Sequence, residues 1–450
     1  LEITNQGQAV AGQGQLEVSV DKTEGLKRSI TVRVPNADID REVEVRLKQV
    51  GKTARLKGFR PGKVPEKVVR QRFGGQVRQE VLGDIIRSSF SHAVTEKRMN
   101  PAGGPAIEPL AGPDGAWFAY RATFEVYPEV RLGDVRALEF QIPKVEIADP
   151  DVDKMVLRLR KQRGHWITAE RAAAEGDRVV VDFTGTIDGQ PFEGGEGQGV
   201  KLVLGAGQVI RDFEQALLGL AAGESKTADV TFPADYKASE LSGKQASFEV
   251  RVERVDALEL PEVDKEFMAA FGNTSGDLEA FRADVRKNMQ RELDERVRAA
   301  TKNNVLDALH SAHAVELPRA PVEQEIHVLQ HEAMRRMGIP DHDHDRHPSA
   351  EPFRPLAEKR VRLSLLVQEL IVKEKIVLNR ERVEQRIQEL AAPYENPAEA
   401  AQLYRGNREF MTQIESSVLE DEVVDYLIGH GKTETRSFGF DEFMNMQDAD

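Results

Sequence analysis

Arg178-Val179-Val180-Val181-Asp182-Phe183-Thr184-Gly185-Thr186-Ile187-Asp188-Gly189 sets the fold class of the middle of the chain. The run Val179–Phe183 reads as a strand. Asp188-Gly189 is a hairpin signal, because both central positions of such a turn need positive φ. Further strands are expected at Lys201–Leu204, Lys226–Phe232 and Ser247–Val255, with one short helix at Val209–Leu217. The region is expected to be a small antiparallel β domain carrying a single helix.

Toward the N-terminus, Asp149–Gln162 reads as a short helix leading into that domain, after an extended connector that begins past Pro128. Over Leu16–Pro35, Ile30, Val32 and Val34 fall on one face and Thr31 and Arg33 on the other, the pattern of a half-buried strand. Helices are expected at about Asp38–Lys52 and Pro65–Lys97. Strand character returns where Phe118, Tyr120, Ala122, Phe124 and Val126 alternate with polar residues, so this first unit is α+β. Toward the C-terminus, everything from Leu258 onward reads as helix. Leu278, Phe281, Val285, Met289, Leu293 and Val297 recur at helical spacing behind a capping box of Thr274 and Asp277. Later helices are expected at Val322–Met337, Phe353–Lys375, Arg380–Ala391, Pro397–Tyr404 and Arg408–Gly429. Such apolar stripes are ordinarily helix packing, which leaves the remaining Met and Phe positions as contacts for something else.

Composition agrees with a multidomain chain. At 450 residues it exceeds one hydrophobic core, and 31% charged against 6% aromatic residues suits long solvent-facing helices. The net charge of -14 argues against global attraction to nucleic acid. With no cysteine, disulfides, thiolate metal ligands and a cysteine nucleophile are excluded, and a cytoplasmic location is the default expectation. No run approaches the length of a membrane span. Leu1–Gly14, rich in Gln, Gly and Ala, reads as a disordered extension.

One stretch departs sharply from the acidic average. Between Arg46 and Arg78 eleven basic residues face Glu66 alone, a local charge of +10. Charge runs are usually solvated faces, but at the centre of this one Arg60-Pro61-Gly62-Lys63 has the chemistry of a type II turn. The turn would raise Phe59 and Arg60 on a tip, with Pro65 as the first residue of the next helix. Phe beside Arg on a projecting basic loop combines apolar docking, a bidentate contact to carboxylate or phosphate, and electrostatic steering. The alternative is that Phe59 folds back under the loop as a staple.

Gly58-Phe59-Arg60-Pro61-Gly62-Lys63-Val64-Pro65 resembles the signature of the trigger factor family, in which Gly-Phe-Arg is followed by a variable residue, Gly, two more residues and Pro. Gln71-Arg72-Phe73-Gly74, Val77–Asp84, Asn100-Pro101-Ala102-Gly103 and Phe124–Val130 resemble the same family, and the similarity runs from about Leu16 to the C-terminus. The resemblance implies that Phe59 and Arg60, helped by Lys57 and Lys63, anchor the protein to a large-subunit ribosomal protein at the tunnel exit, with adjacent rRNA as a further contact. Pro61 stands at the variable position, often Lys in relatives, and stiffens the loop. It also implies nascent and unfolded polypeptides as partners, no membrane, and a homodimer off the ribosome.

Asp182-Phe183-Thr184-Gly185, Pro191–Gly195, Val209–Glu214 and Phe232–Tyr236 resemble the FKBP-type prolyl isomerase pattern. By that resemblance Phe183, Phe192, Val209, Ile210, Phe213, Tyr236 and Phe248 line the pocket. The Ile210 N–H and the Tyr236 hydroxyl serve as donors, and Phe213 stands where many stand-alone relatives carry Trp. Asp182 and Glu193 are weaker candidates, since acids beside strands are often only solvated. The reaction needs no nucleophile, metal or cofactor, because rotation about an X-Pro bond breaks no covalent bond.

Together these readings give a disordered extension at 1–15, a ribosome-binding α+β domain at 16–130 and a connector at 131–162. An FKBP-type domain at 163–257 and an all-α chaperone domain with arms at 258–450 complete the chain. Two other functions stay open at this level. One is a free prolyl isomerase; the other is a metal or partner carrier built on Asp341-His342-Asp343-His344-Asp345-Arg346-His347, a tract that reads more simply as a solvated loop.

Overall fold

A computed structural model describes residues 16–54, 56, 59, 64–110, 116–233, 236, 238, 240–339, 348–394 and 396–446. The chain divides into two compact units, one of residues 1–142 and 301–434, the other of residues 143–300 and 435–450.

In the first unit, Glu17–Glu24 (β1) and Lys27–Pro35 (β2) form an antiparallel hairpin with Val20 opposite Ile30. The sequence suggests one continuous extended segment here; the chain instead reverses at Gly25, whose φ of +54° is open to a residue without Cβ. Asn36–Thr53 (α1) and Glu66–Glu96 (α2) follow, then Ala106–Leu110 (β3) and Trp117–Glu125 (β4), giving the sheet order β1-β2-β4-β3. Pro65 is the N-cap of α2 and not its first residue, since its carbonyl accepts from Val69 N–H. Ile39, Val43 and Leu47, four apart on α1, pack with Ile30, Val32, Tyr120 and Phe124 of the sheet and Val69, Val77 and Val81 of α2. The buried Tyr120 hydroxyl is paired with Ser89 at 2.8 Å, so it is not stranded between sheet and helix.

In chain order, Glu139–Val145 (β5), Asp149–Gln162 (α3) and His165–Thr168 (β6) lead to Arg178–Ile187 (β7) and Gln190–Val203 (β8). Arg211–Leu217 (α4), Ser225–Thr231 (β9) and Gln245–Glu259 (β10) come next. Strands β6 to β10 make an antiparallel sheet in the order β6-β10-β7-β8, with β9 also on β10. The long β10 is its spine. The Asp188-Gly189 turn closes β7 onto β8 with Ile187 opposite Gln190 and both turn residues at positive φ. α4 begins at Arg211, two residues later than the apolar pattern suggests, because Ile210 is extended, with ψ 137°.

The remaining helices are Lys265–Ala270 (α5), Leu278–Ala312 (α6), Arg319–Arg336 (α7), Arg354–Glu374 (α8), Arg380–Ala391 (α9), Pro397–Gly406 (α10) and Arg408–His430 (α11). After them come Lys432–Phe438 (β11) and Phe440–Met446 (α12). The helical reading after Leu258 therefore holds except for the end of β10 and for β11, whose largely exposed, charged residues carry no apolar alternation to reveal it. The capping box before α6 is replaced by Asp277 alone: its carboxylate accepts from Glu279 N–H at 3.1 Å and its carbonyl from Phe281 N–H. In the second unit Phe281, Val285, Met289 and Leu293 of α6 bury against Val152 and Val156 of α3, while Leu278 is 46% exposed. In the first unit Lys302, partly buried, lies 2.6 Å from Glu420 and 3.0 Å from Asp421, and Arg386 also reaches Asp421 at 2.9 Å.

Candidate functional site

The β sheet of the second unit gathers five phenylalanines on one side of β10. Phe183 comes from β7, Phe192 from β8, Phe213 from α4 and Phe248 from β10, while Phe232 follows β9 directly. The register puts Phe183 opposite Val250 and Gly185 opposite Phe248. A Cβ on Gly185 would lie 2.5 Å from Phe248 Cε1, and one on Gly197 2.6 Å from Phe183 Cε1. These two glycines leave the space that the rings occupy.

The rings meet edge to face. Phe213 sits 5.4 Å from Phe183 and 5.3 Å from Phe248, and Phe192 lies 6.0 Å from both Phe248 and Phe232. Interplanar angles of 80° to 89° place positive ring edges on negative faces, an arrangement worth about 0.5–1.5 kcal/mol per pair beyond area burial. Phe213, Phe232 and Phe248 are buried, Phe183 and Phe192 partly so. Tyr236 packs on Phe232 at 4.8 Å and stays 37% exposed. Val209 and Ile210 pack against the same core. Ile210 is the N-cap of α4: its carbonyl accepts from Glu214 N–H at 3.1 Å, and its own N–H, at the helix start, has no intrahelical acceptor.

All seven residues expected from the pattern thus fall in one neighbourhood, and Phe232 joins them. The alternation of Lys226–Phe232 could have pointed to it, since Val230 and Phe232 are both buried. Asp182 serves the sheet locally, its carboxylate accepting from Gly199 N–H at 2.8 Å across the hairpin. Glu193 is exposed on β8.

Buried carboxylates brace the sheet. Asp256 takes hydrogen bonds from Arg178 at 2.8 Å and Arg254 at 2.9 Å. Burial alone would raise its pKa, but these two guanidiniums outweigh it and hold the carboxyl below its usual range. Asp177, buried on the same sheet, is likewise opposed by burial and pulled down by Arg171 and the Ala174 N–H.

In the first unit, Phe59 is 40% exposed and its N–H donates to Leu56 at 3.1 Å. Lys57, Arg60 and Lys63, with the turn between Arg60 and Lys63, lie outside the described residues, as do the extension at 1–15 and the histidine tract. The flanking positive charge is partly balanced by acids remote in sequence, Arg46 pairing with Asp84, Arg70 with Glu44 and Arg78 with Asp40.

Comparison with known proteins covers nearly the whole chain. A family model of the bacterial trigger factor protein matches residues 16–159, one of its C-terminus residues 277–429, and one of FKBP-type peptidyl-prolyl cis-trans isomerase residues 169–253. The trigger factor of Thioalkalivibrio sulfidiphilus is 42% identical over 433 residues, 96% of this chain and 98% of its own. The chain belongs to the trigger factor family. Trigger factors of Colwellia psychrerythraea and Alkalilimnicola ehrlichii are 41% and 42% identical, each over 96% of this chain. The protein is accordingly a ribosome-associated chaperone that binds unfolded polypeptide and carries an FKBP-type peptidyl-prolyl isomerase domain. The free-isomerase alternative is set aside, because trigger factor models match on both sides of the isomerase segment. Among the described residues no helix is long and apolar enough to cross a membrane.

Proposed function

We propose that the ring cluster is the X-Pro site, with Phe183, Phe192, Val209, Ile210, Phe213, Tyr236 and Phe248 as its lining and Phe232 as support beneath Tyr236. The observation that carries this is the edge-to-face convergence of rings from β7, β8, α4 and β10 beside a half-open tyrosine. A prolyl ring fits apolar walls, and the planar amide, whose resonance separates charge, is disfavoured there relative to the twisted form. The Ile210 N–H and Tyr236 hydroxyl would orient the substrate carbonyls. Phe192→Leu, which keeps apolar bulk but removes a ring, is expected to lower kcat/KM about tenfold on a proline-containing peptide, equivalent to about 1.4 kcal/mol. Unchanged turnover would remove the pocket assignment.

The remaining parts of the reading rest on other features. Exposed Phe59 supports a docking role for it together with Lys57, Arg60 and Lys63, tested by co-sedimentation with 70S ribosomes of the protein and of Phe59→Ala/Arg60→Ala/Lys63→Ala. Pelleting of both to the same extent would sink the assignment. The domain scheme is ribosome binding at 16–130, connector at 131–162, isomerase at 163–257 and chaperone helices at 258–450, in a cytoplasmic protein that is a homodimer off the ribosome. Sedimentation velocity over a concentration series would show a single monomeric species if the dimer is wrong.

A further inference from the structure

The segment that presents Ile210 is short, bent and closed by two side chains. Leu204-Gly205-Ala206-Gly207-Gln208-Val209-Ile210 passes through positive φ at Gly205 and Gly207, and Ala206 N–H turns back to Val203. The partly buried Val209 and Ile210 side chains rest on the core, but nothing in the glycine turn itself fixes its backbone. Two polar side chains do. Gln208 Oε1 accepts from Val203 N–H at 3.2 Å, and Glu214 Oε1, from the first turn of α4, accepts from Gly205 N–H at 3.1 Å. Glu214 also donates its backbone N–H to the Ile210 carbonyl at 3.1 Å. One residue therefore holds both ends of the loop, through its side chain at Gly205 and its main chain at Ile210.

We infer that Glu214 is a positioning residue for prolyl isomerisation, setting the orientation of the Ile210 N–H and the Val209 wall without touching substrate. The inference rests on the assignment of Ile210 as a pocket donor. A carboxylate suits this role because hydrogen bonds to charged groups are the stronger kind, and a freed loop with two glycines regains much conformational entropy. The rings need no such latch, since Phe213 and Phe248 are fixed by burial in the sheet core. Loss of the latch is therefore expected to leave the domain folded and the rings in contact, while the donor wanders.

The test uses the full chain with Glu214→Ala, Glu214→Gln and Phe192→Leu. Glu214→Ala is expected to cut kcat/KM about tenfold with an unchanged thermal midpoint, and to speed amide hydrogen exchange at Gly205 and Ile210. Glu214→Gln, which keeps an oxygen acceptor, restores most of the activity. If Glu214→Ala turns over like the parent while Phe192→Leu is impaired, the latch is wrong and the pocket stands. If neither variant loses activity, the pocket assignment itself fails. Equal impairment of Ala and Gln variants with lowered midpoints would show a purely structural residue and overturn the inference.

Discussion

The isomerase sheet and the helices from α8 to α11 use apolar residues in opposite ways. In the sheet, rings from β7, β8, α4 and β10 converge until Phe213 and Phe248 are only 5% and 6% exposed. On α8 Val372 is 68% exposed, on α10 Leu403 is 61%, and between α8 and α9 Val377 is 78%. A converged cluster with few polar partners suits one shape, under the proposed assignment a prolyl ring. Apolar side chains left at the surface and separated by charge select no shape, which suits weak holding of many unfolded segments. Under these assignments the chain separates a specific site from a permissive surface.

The contrast is most sharply broken by taking a ring from the converged side. Phe248→Ala is expected to destabilise the second unit by about 3–5 kcal/mol, since Phe248 touches Phe183, Phe192, Phe213 and Phe232. The chain's two tryptophans, Trp117 and Trp166, fall one in each unit, so denaturant unfolding followed in a Trp117→Phe background reads the second unit separately. An unfolding midpoint that did not move would contradict the packing described.

Next in size is Asp256→Asn, expected to cost about 3 kcal/mol because two arginines lose a buried counter-charge. Since the folded pKa is depressed, the stabilisation is complete above the unfolded value near 3.8 and lost as pH falls through the lower folded value. Trp166, against Arg178 at 4.8 Å, should report the acid transition of the parent and show it weakened in the variant.

How much of the molecule was legible in sequence divides along the same line. Strands β7, β9 and β10 and the α4 region show themselves through β-branched runs and a Gly turn, β8 only at its last residues because its Gly-rich start lacks apolar alternation, and ring residues stand out because aromatics are scarce. Phe232 lies within an isomerase-like motif yet was not expected at the site, because whether an aromatic supports or lines a pocket depends on neighbours distant in the chain. The latch at Glu214 was unreadable, since its partner Gly205 is engaged through a backbone N–H that leaves no trace in residue identity. The Gly25 reversal and β11 were missed because their residues carry little apolar alternation.

A smaller effect is expected at the rim. Tyr236→Phe removes one hydroxyl from a 37% exposed residue, so stability should hold while kcat/KM falls up to about tenfold, the worth of one neutral hydrogen bond. In the first unit, His310 Nε2 accepts from Arg362 at 3.0 Å. Burial, then the charges of Arg362 and Lys359, depress its pKa against the pull of Asp307. Its contribution is present above the ordinary value near 6.5 and lost as pH drops through the lower folded one. Unfolding read by Trp117 should therefore weaken at milder acidity than that read by Trp166, and His310→Gln should remove the difference.

The smallest change in stability should come from the permissive side, and it sharpens the comparison most. Val372→Ser, Val377→Ser and Leu403→Ser together are expected to shift unfolding by less than about 0.5 kcal/mol per site, because these side chains already face water in the folded chain. The same triple variant should hold an aggregation-prone unfolded protein less well while turning over a proline peptide at the parent rate. Loss of both activities would contradict the separation of surface from pocket. Loss of neither would place client holding on other apolar positions, leaving the exposure of these three residues without a functional reading.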